Sequence, residues 1–406
     1  MTSQLAWLDF SERERRQALD VIDLFREDDT RDELGLGVIR DAFSDHYFPG
    51  TSTIQTRLRY FLFIPWIIKQ LEDSHVSSND IRRRSRNRQG GLRDSLIAGG
   101  EETGVIGYRA GINVQRLPSN VYWNGLRRWG ILRFQGSEDE YQRSLGGYYA
   151  HQHRALHTDD GEPVDGVMVA NWDPHLPKAP EDLFEESTFE LENHEIEYIT
   201  DRIKMTADRS LLSQLIDLGN GVDANTHFPW DHIDPDELDK SMKAAVGHGR
   251  NFSETMHGAA LLYNLMLAEE SGRDGLDEEY QELLGQWWDT LHEREFEYKN
   301  WDRKAFWKFL KSIDARVPVP TYQFVDQWEC LIAQAERVED VMASKVARQL
   351  IKMREAQLKG GRARIGNARA IELWNGAAGT AQLDYRWNRP VRSFLNDLLG
   401  YDEEDS

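Results

Sequence analysis

Between Ile81 and Arg93 the chain reads IRRRSRNRQGGLR, which puts Arg82, Arg83, Arg84, Arg86, Arg88 and Arg93 on one polar stretch with no acid among them. Guanidinium groups at this density raise a local positive field of the kind that displaces counterions from nucleic-acid phosphates. A solvated arginine helix paired with the chain's own carboxylates accounts for the same run. A second basic run, Lys345 to Ile371, holds Lys345, Arg348, Lys352, Arg354, Lys359, Arg362, Arg364 and Arg369 against Glu355 alone. Gly360 and Gly361 fall in its middle and offer flexible backbone amides beside arginines. The helix macrodipole also favours cations at a helix C-terminus, so part of this run needs no ligand.

Groups fit for catalysis are sparse. The nearest approach to nuclease chemistry is Asp289 with Glu297 and Lys299, since two carboxylates and a lysine can hold a divalent metal and position water. A charged helix face explains the same spacing. His153 and His157, four apart, share a helical face as metal ligands do, while His151 points elsewhere. No glutamate stands between them as in a metalloprotease helix, and a chance histidine cluster at a wet helix end is the plainer account. There is no GxxxxGK[ST] loop, GxSxG elbow, HExxH helix or HxK motif, and Gly104, Gly107 and Gly111 are spaced wrongly for dinucleotide binding. The reading is of a chain without a cofactor and without an established catalytic residue.

Bulk composition narrows the classes. Of 406 residues, 40% are hydrophobic and 11% aromatic, enough for sizeable cores in two or three domains. One cysteine, Cys330, excludes a disulfide framework and any cysteine-rich zinc site, as expected of a cytoplasmic protein. The opening MTSQLAWLDFSERERR lacks the order of a signal peptide. A formal charge of −21 argues against nonspecific nucleic-acid binding by the whole surface, though not by a local basic patch.

The elements that must position these groups read as mainly α and multi-helical. Ser11 and Glu14 have the form of a capping box for a helix to about Arg26. Phe48 to Leu71 reads as a central helix: Pro49 and Gly50 turn the chain, Ser52 or Thr53 caps, and Ile54, Leu58, Phe61, Pro65, Ile68 and Leu71 recur at three and four, with a bend expected at Pro65. Its apolar run, Tyr60 to Ile68, is too short to cross a bilayer, which takes about 20 residues, so no membrane contact is expected. The polar group Thr51 to Arg57 at its mouth suits a helix cap, or a phosphate. Residues 92–134 read as helix, glycine-rich connection, helix and strand, a small winged-helix-like α/β unit. In it Tyr122, Leu126 and Trp129 face inward, and Asn124, Arg127 and Arg128 face outward where a recognition helix contacts DNA. A helix from Glu138 follows. The proline-, glycine- and aspartate-rich 158–180 is taken as a linker between an N-terminal module, 1–157, and a C-terminal aromatic-rich helical domain, 181–406. Glu181 to Asp201 carries nine acids and no lysine or arginine, a candidate occupant of the arginine patch or simply a wet helix face. Aromatic stripes such as Tyr280, Leu284, Trp287, Trp288 and Leu291 read as core, and a single long helix is expected from Tyr322 to Leu358.

The segments AWLDFSERERRQALDVIDLF, RDELGLGVIRDAFSDHYFPGTSTIQTRLRYFLFIPW and LPSNVYWNGLRRWGI together resemble an uncharacterised bacterial family known only as a domain of unknown function. The resemblance covers most of the chain and carries no catalytic residue with it. It implies a component encoded among helicases and phospholipase-D-type nucleases in phage-defence-like clusters, similar to the system named Azaca, with a helicase or nuclease as protein partner. The expectation is therefore a non-enzymatic nucleic-acid-binding (DNA or RNA) or adaptor subunit of an antiviral defence complex. A metal-dependent nuclease and a purely protein-binding scaffold stand as alternatives.

Overall fold

Helices dominate because apolar residues recur at three and four along most of the chain: the computed structural model, which describes residues 32–155 and 170–401, contains seventeen α-helices among them. The helix expected from Ser11, most of the 158–180 linker and the acidic tail lie outside the described residues. Two compact units are formed, and neither is continuous in sequence. One comprises residues 32–43 and 244–383, the other 44–243 and 384–401.

In the second of these, the helix Tyr60–Asp73 is buried from Tyr60 through Ile68. A helix apolar on every side belongs in the middle of a core. Helices Ile81–Ala98 and Pro118–Arg128 pack against it. Trp129 stacks on Phe61 at 3.9 Å between ring centres, and its indole N–H donates to the Pro49 carbonyl at 2.8 Å. A Cβ on Gly50 would lie 2.4 Å from that indole nitrogen, and Gly50 has φ +89°, so glycine is required there twice over.

The central helix begins at Tyr60, not near Ser52. Residues 51–59 instead form a loop tied down by its own polar groups. The Thr51 hydroxyl donates to the Phe48 carbonyl, Ser52 N–H to the Gln55 side chain, and the Thr56 hydroxyl to the Gly104 carbonyl. The backbone N–H groups of Thr56 and Arg57 donate to the Tyr122 hydroxyl, and Leu58 N–H to Asp397. Short polar side chains offered these backbone groups partners that compete with a helical ladder. Ile54, expected on the buried spine, is consequently 44% exposed.

The winged-helix expectation also fails. The helix stops at Gly130, as expected, with φ +67°, and Tyr122, Leu126 and Trp129 are buried. The segment expected as a strand makes one isolated antiparallel bridge, Leu132 to Trp172, and among the described residues there is no sheet to serve as a wing. Four residues with a single partner segment cannot build one.

In the other unit, Phe43, Phe252, Phe306 and Phe309 cluster with ring centres 5.4–6.5 Å apart, and the aromatic stripes read from sequence are core. The long helix expected over 322–358 is three: Val319–Gln334, Val338–Met342 and Lys345–Lys359. Capping side chains divide it. Asp340 accepts from Arg337 N–H, and Ser344 accepts from Ala347 N–H. Where helix Lys240–Ser271 meets helix Leu276–His292, the Trp287 indole lies flat on Gly258 and donates to the Glu254 carbonyl at 2.7 Å. A Cβ at 258 would sit 2.2 Å from the ring. Gly258→Ala is therefore predicted to destabilise by about 1–3 kcal/mol through overpacking, despite alanine's helix preference of about 1 kcal/mol. Urea unfolding tests this; an unchanged or raised midpoint would show that the indole yields freely.

Candidate functional site

Along helix Ile81–Ala98 the residues Ile81, Ser85, Gln89, Leu92 and Leu96 are buried. That stripe anchors the helix and turns Arg82, Arg83, Arg84, Arg86 and Arg88 outward, all exposed. Gln89 fixes the anchored face, donating to Ser85 and Ser119 and accepting from Ser119 N–H. Arg82 pairs with Asp139, Arg83 with Asp80 at 2.9 Å, and Arg93 with Asp94 at 2.5 Å. Arg86 donates to the Val114 carbonyl at 3.4 Å, and the Arg88 guanidinium lies 4.7 Å from the Phe184 ring centre. No ion pair engages Arg84, Arg86 or Arg88 among the described residues. The acidic segment does reach this helix, but through Leu183, Phe184 and Ser187, which meet it partly by a Ser95 hydroxyl bond to the Leu183 carbonyl. Among the described residues none of the acids of 181–190 pairs with the arginines of 82–93.

On helix Pro118–Arg128, Asn124 and Arg128 are exposed while Arg127 is half-buried, its Nε enclosed without a hydrogen-bond partner among the described residues.

Half of the second basic run is turned inward. Arg354 is buried and donates to the Leu34 and Gly35 carbonyls and the Thr321 hydroxyl. Arg348 grips Glu269 with both terminal nitrogens. Lys359 and Arg364 pair with Glu33, and the fully buried Glu355 accepts from Lys359, the Tyr263 hydroxyl and the N–H groups of Arg364 and Ile365. Lys345, Lys352, Arg362 and Arg369 remain exposed.

The catalytic candidates do not converge on a site. Lys299 bonds Glu295 rather than Glu297, and Asp289 and Glu297 are both exposed. Among the described residues no group of three or more histidine, cysteine, aspartate or glutamate side chains is placed to hold a metal. The side chains of His153 and His157 lie outside the described residues. A cavity of about 370 Å³ is lined by Glu254, His257, Leu261, Trp287 and Thr380 among others. Burial lowers the His257 pKa to about 4, and its Nε2 meets the Thr380 carbonyl at 3.0 Å.

A cluster that sequence reasoning passed over lies on either side of the Leu132–Trp172 bridge. Arg133 N–H donates to the Asn171 carbonyl and Asp173 N–H to the Ile131 carbonyl, so this short pairing places Arg133 beside Asp173. The Asp173 carboxylate, 0% exposed, also receives Arg202 from helix Asn193–Ala207 and both the backbone N–H and the ring nitrogen Nδ1 of His175. Next to it, Glu72 accepts from the Tyr141 hydroxyl and from Asn171 at 3.0 Å.

Residues 2–400 match the family described as "Family of unknown function (DUF6361)". The chain belongs to the DUF6361 family. No curated protein and no solved structure matches it. What can be said of function in this DUF6361 protein therefore rests on its own side chains. No helix among the described residues is long and apolar enough to cross a membrane. The Asp173 cluster was hidden because Asn171 to His175 fell in a segment read as linker, and its partners lie about 30 to 40 residues away on either side. The run Asn171-Trp172-Asp173-Pro174-His175 was its one signal, an Asp-x-His spacing beside a tryptophan.

Proposed function

We propose that this protein is a non-catalytic nucleic-acid-binding subunit that contacts DNA or RNA phosphates through the solvent face of helix Ile81–Ala98. The observation that carries the reading is the exposure of Arg84, Arg86 and Arg88 with no ion pair among the described residues, in a chain with 70 acids to 49 lysines and arginines. In so acidic a protein, cations that no internal carboxylate neutralises are free to meet an external polyanion. The buried stripe fixes the backbone of that face, so only the arginine side chains have to be ordered on binding. The second basic run supports the same role only through Lys345, Lys352, Arg362 and Arg369. The resemblance to proteins encoded among helicases and nucleases in phage-defence-like clusters fits a subunit that loads or regulates a partner engine.

Anisotropy titrations of a labelled single strand and a labelled duplex, at several salt concentrations, test the proposal. The parent is expected to bind with an affinity that falls steeply with salt. The triple variant Arg83→Gln, Arg84→Gln, Arg86→Gln, altered only on the exposed face, is expected to bind about tenfold or more weakly. Its log–log slope is expected to be shallower by about 0.7–0.9 for each phosphate that the variant leaves unneutralised. Absence of binding to either probe, or a triple variant that binds like the parent, overturns it. The molecule would then be read as a protein-docking scaffold, for which Val346 and Met353, more than 60% exposed on helix Lys345–Lys359, are the relevant surface.

A further inference from the structure

We propose that Arg133, Arg202 and His175, gathered on the buried Asp173 carboxylate, form an oxyanion site that binds a phosphate group. The site is separate from the arginine helix and does not depend on its role. Two guanidinium groups meet one carboxylate here. Arg202 Nη1 pairs with Asp173 Oδ2, and Arg133 Nη2 stands 3.6 Å from Oδ1. Neither arginine has a second ion pair among the described residues, so the group carries an excess positive charge. Burial, and after it the neighbouring Arg133 charge, lower the pKa of Arg202. Excess charge in a partly dry place is costly unless an anion compensates it.

The donors are also arranged to receive one. The Arg202 side chain is 12% exposed and held by Asp173, whereas Arg133 is 46% and His175 83% exposed, so the cluster has a fixed floor and an open rim. Asp173 spends its oxygens on orienting the three cationic or donor groups, and its own charge is fully enclosed. Arg202 Nε and the Tyr198 hydroxyl are buried with no hydrogen-bond partner among the described residues, and Tyr198, more than nine-tenths buried, feels the Arg133 charge. Both are donors whose hydrogen bonds are unmade. With Nδ1–H of His175 directed at Asp173 (3.2 Å), Nε2 is left to accept from a protonated phosphate oxygen or, on a charged ring, to donate to a bare one. Two forked guanidiniums plus an imidazole exceed what a planar carboxylate can use and suit a tetrahedral oxyanion.

A terminal phosphate and an internal phosphodiester present the same oxygens, and the experiment separates them. Titration calorimetry of the full chain with inorganic phosphate and with pyrophosphate, against sodium chloride of equal ionic strength, is expected to show binding that weakens at least tenfold in Arg133→Gln and in His175→Ala. Both changes are at exposed positions, and Arg202 still holds Asp173 in each variant; a parent-like unfolding midpoint checks that the fold is kept. The Arg83, Arg84, Arg86 triple variant is expected to bind these small anions like the parent, which distinguishes failure of this site from failure of the arginine helix. If 5′-phosphorylated oligonucleotide binds more tightly than its 5′-hydroxyl twin and the difference vanishes in Arg133→Gln, the ligand is a chain end. If the twins bind equally and both weaken in Arg133→Gln, it is an internal phosphodiester. Unchanged affinity of Arg133→Gln for both the small anions and the oligonucleotides, or no binding by the parent beyond the chloride control, overturns the proposal.

Discussion

Replacing Glu355 by leucine is expected to cost about 3–5 kcal/mol of unfolding free energy, the range for removing one partner from a buried ionic network. The carboxylate sits at the end of helix Lys345–Lys359 with no exposed surface. It accepts the Tyr263 hydroxyl at 2.6 Å, the Lys359 ammonium at 3.0 Å, and the Arg364 and Ile365 N–H groups at 2.9 Å each. Those last two bonds fold the segment after Gly360 back over the helix end. Burial by itself would raise the Glu355 pKa, but the bonds from Tyr263, Arg364, Ile365 and Lys359 outweigh it and leave the pKa lowered. A depressed carboxylate stabilises the fold above its unfolded value of 4.5 and loses that contribution as pH falls through the folded pKa. In the leucine variant Lys359 and Arg364 keep Glu33, but Tyr263 and two backbone donors lose their acceptor inside the protein. Denaturant unfolding at neutral pH checks the size. A loss below about 1 kcal/mol would mean that water or Glu33 takes over the donors, and that the network is not a structural keystone.

How much of this could be read from residues in a row depended on whether the deciding partner was near in sequence. Phe61, Tyr122, Leu126 and Trp129 announced their burial by spacing alone, and they are buried. Gly130 announced the helix end. The stretch 51–59 misled because threonine, serine and glutamine at a helix mouth look like caps, whereas the acceptors of the Thr56, Arg57 and Leu58 backbone N–H groups, Tyr122 and Asp397, are far along the chain. Spacing cannot show such a partner. The same holds for the basic runs. Arg82 and Arg354 look alike as letters, yet one faces solvent beside Asp139 and the other is buried on the carbonyls of Leu34 and Gly35. Local charge density predicted where arginines would be, and only long-range packing decided which of them were already spent. Asp173 shows the converse case. A polar residue between a tryptophan and a proline reads as loop, and its importance comes from Arg133 and Arg202, which reach it from separate elements.

A carboxyl group that stays protonated near neutrality should give this fold a stability that declines as pH rises. Glu329, on helix Val319–Gln334, is buried beside Thr255, and burial pushes its pKa up to about 8, with Asp326 adding to the rise and Thr255 and Arg303 opposing it. The Thr255 hydroxyl donates to the Asn251 carbonyl at 2.7 Å, so a protonated Glu329 can supply its own O–H to the Thr255 oxygen and no charge need be buried. Between the unfolded value of 4.5 and about 8 the folded state binds more protons than the unfolded one. Unfolding free energy must then fall with rising pH across that window, by about 1.4 kcal/mol per unit and on the order of 5 kcal/mol in all. The stabilisation is complete below 4.5 and gone above about 8. His257, lowered to about 4 by burial, tilts the curve the other way between 4 and 6.5, and the lowered His46, His232 and His248 tilt it in the same sense just below 6.5. The difference between parent and Glu329→Gln removes those histidine contributions. The glutamine variant, neutral at every pH and able to donate to the same hydroxyl, is expected to match the parent near pH 4.5 and to exceed it by a growing margin up to pH 8. Parallel stability curves for the two proteins would show that Glu329 is ionised in the fold, and would require Arg303 to compensate a charge that has no exposed surface of consequence.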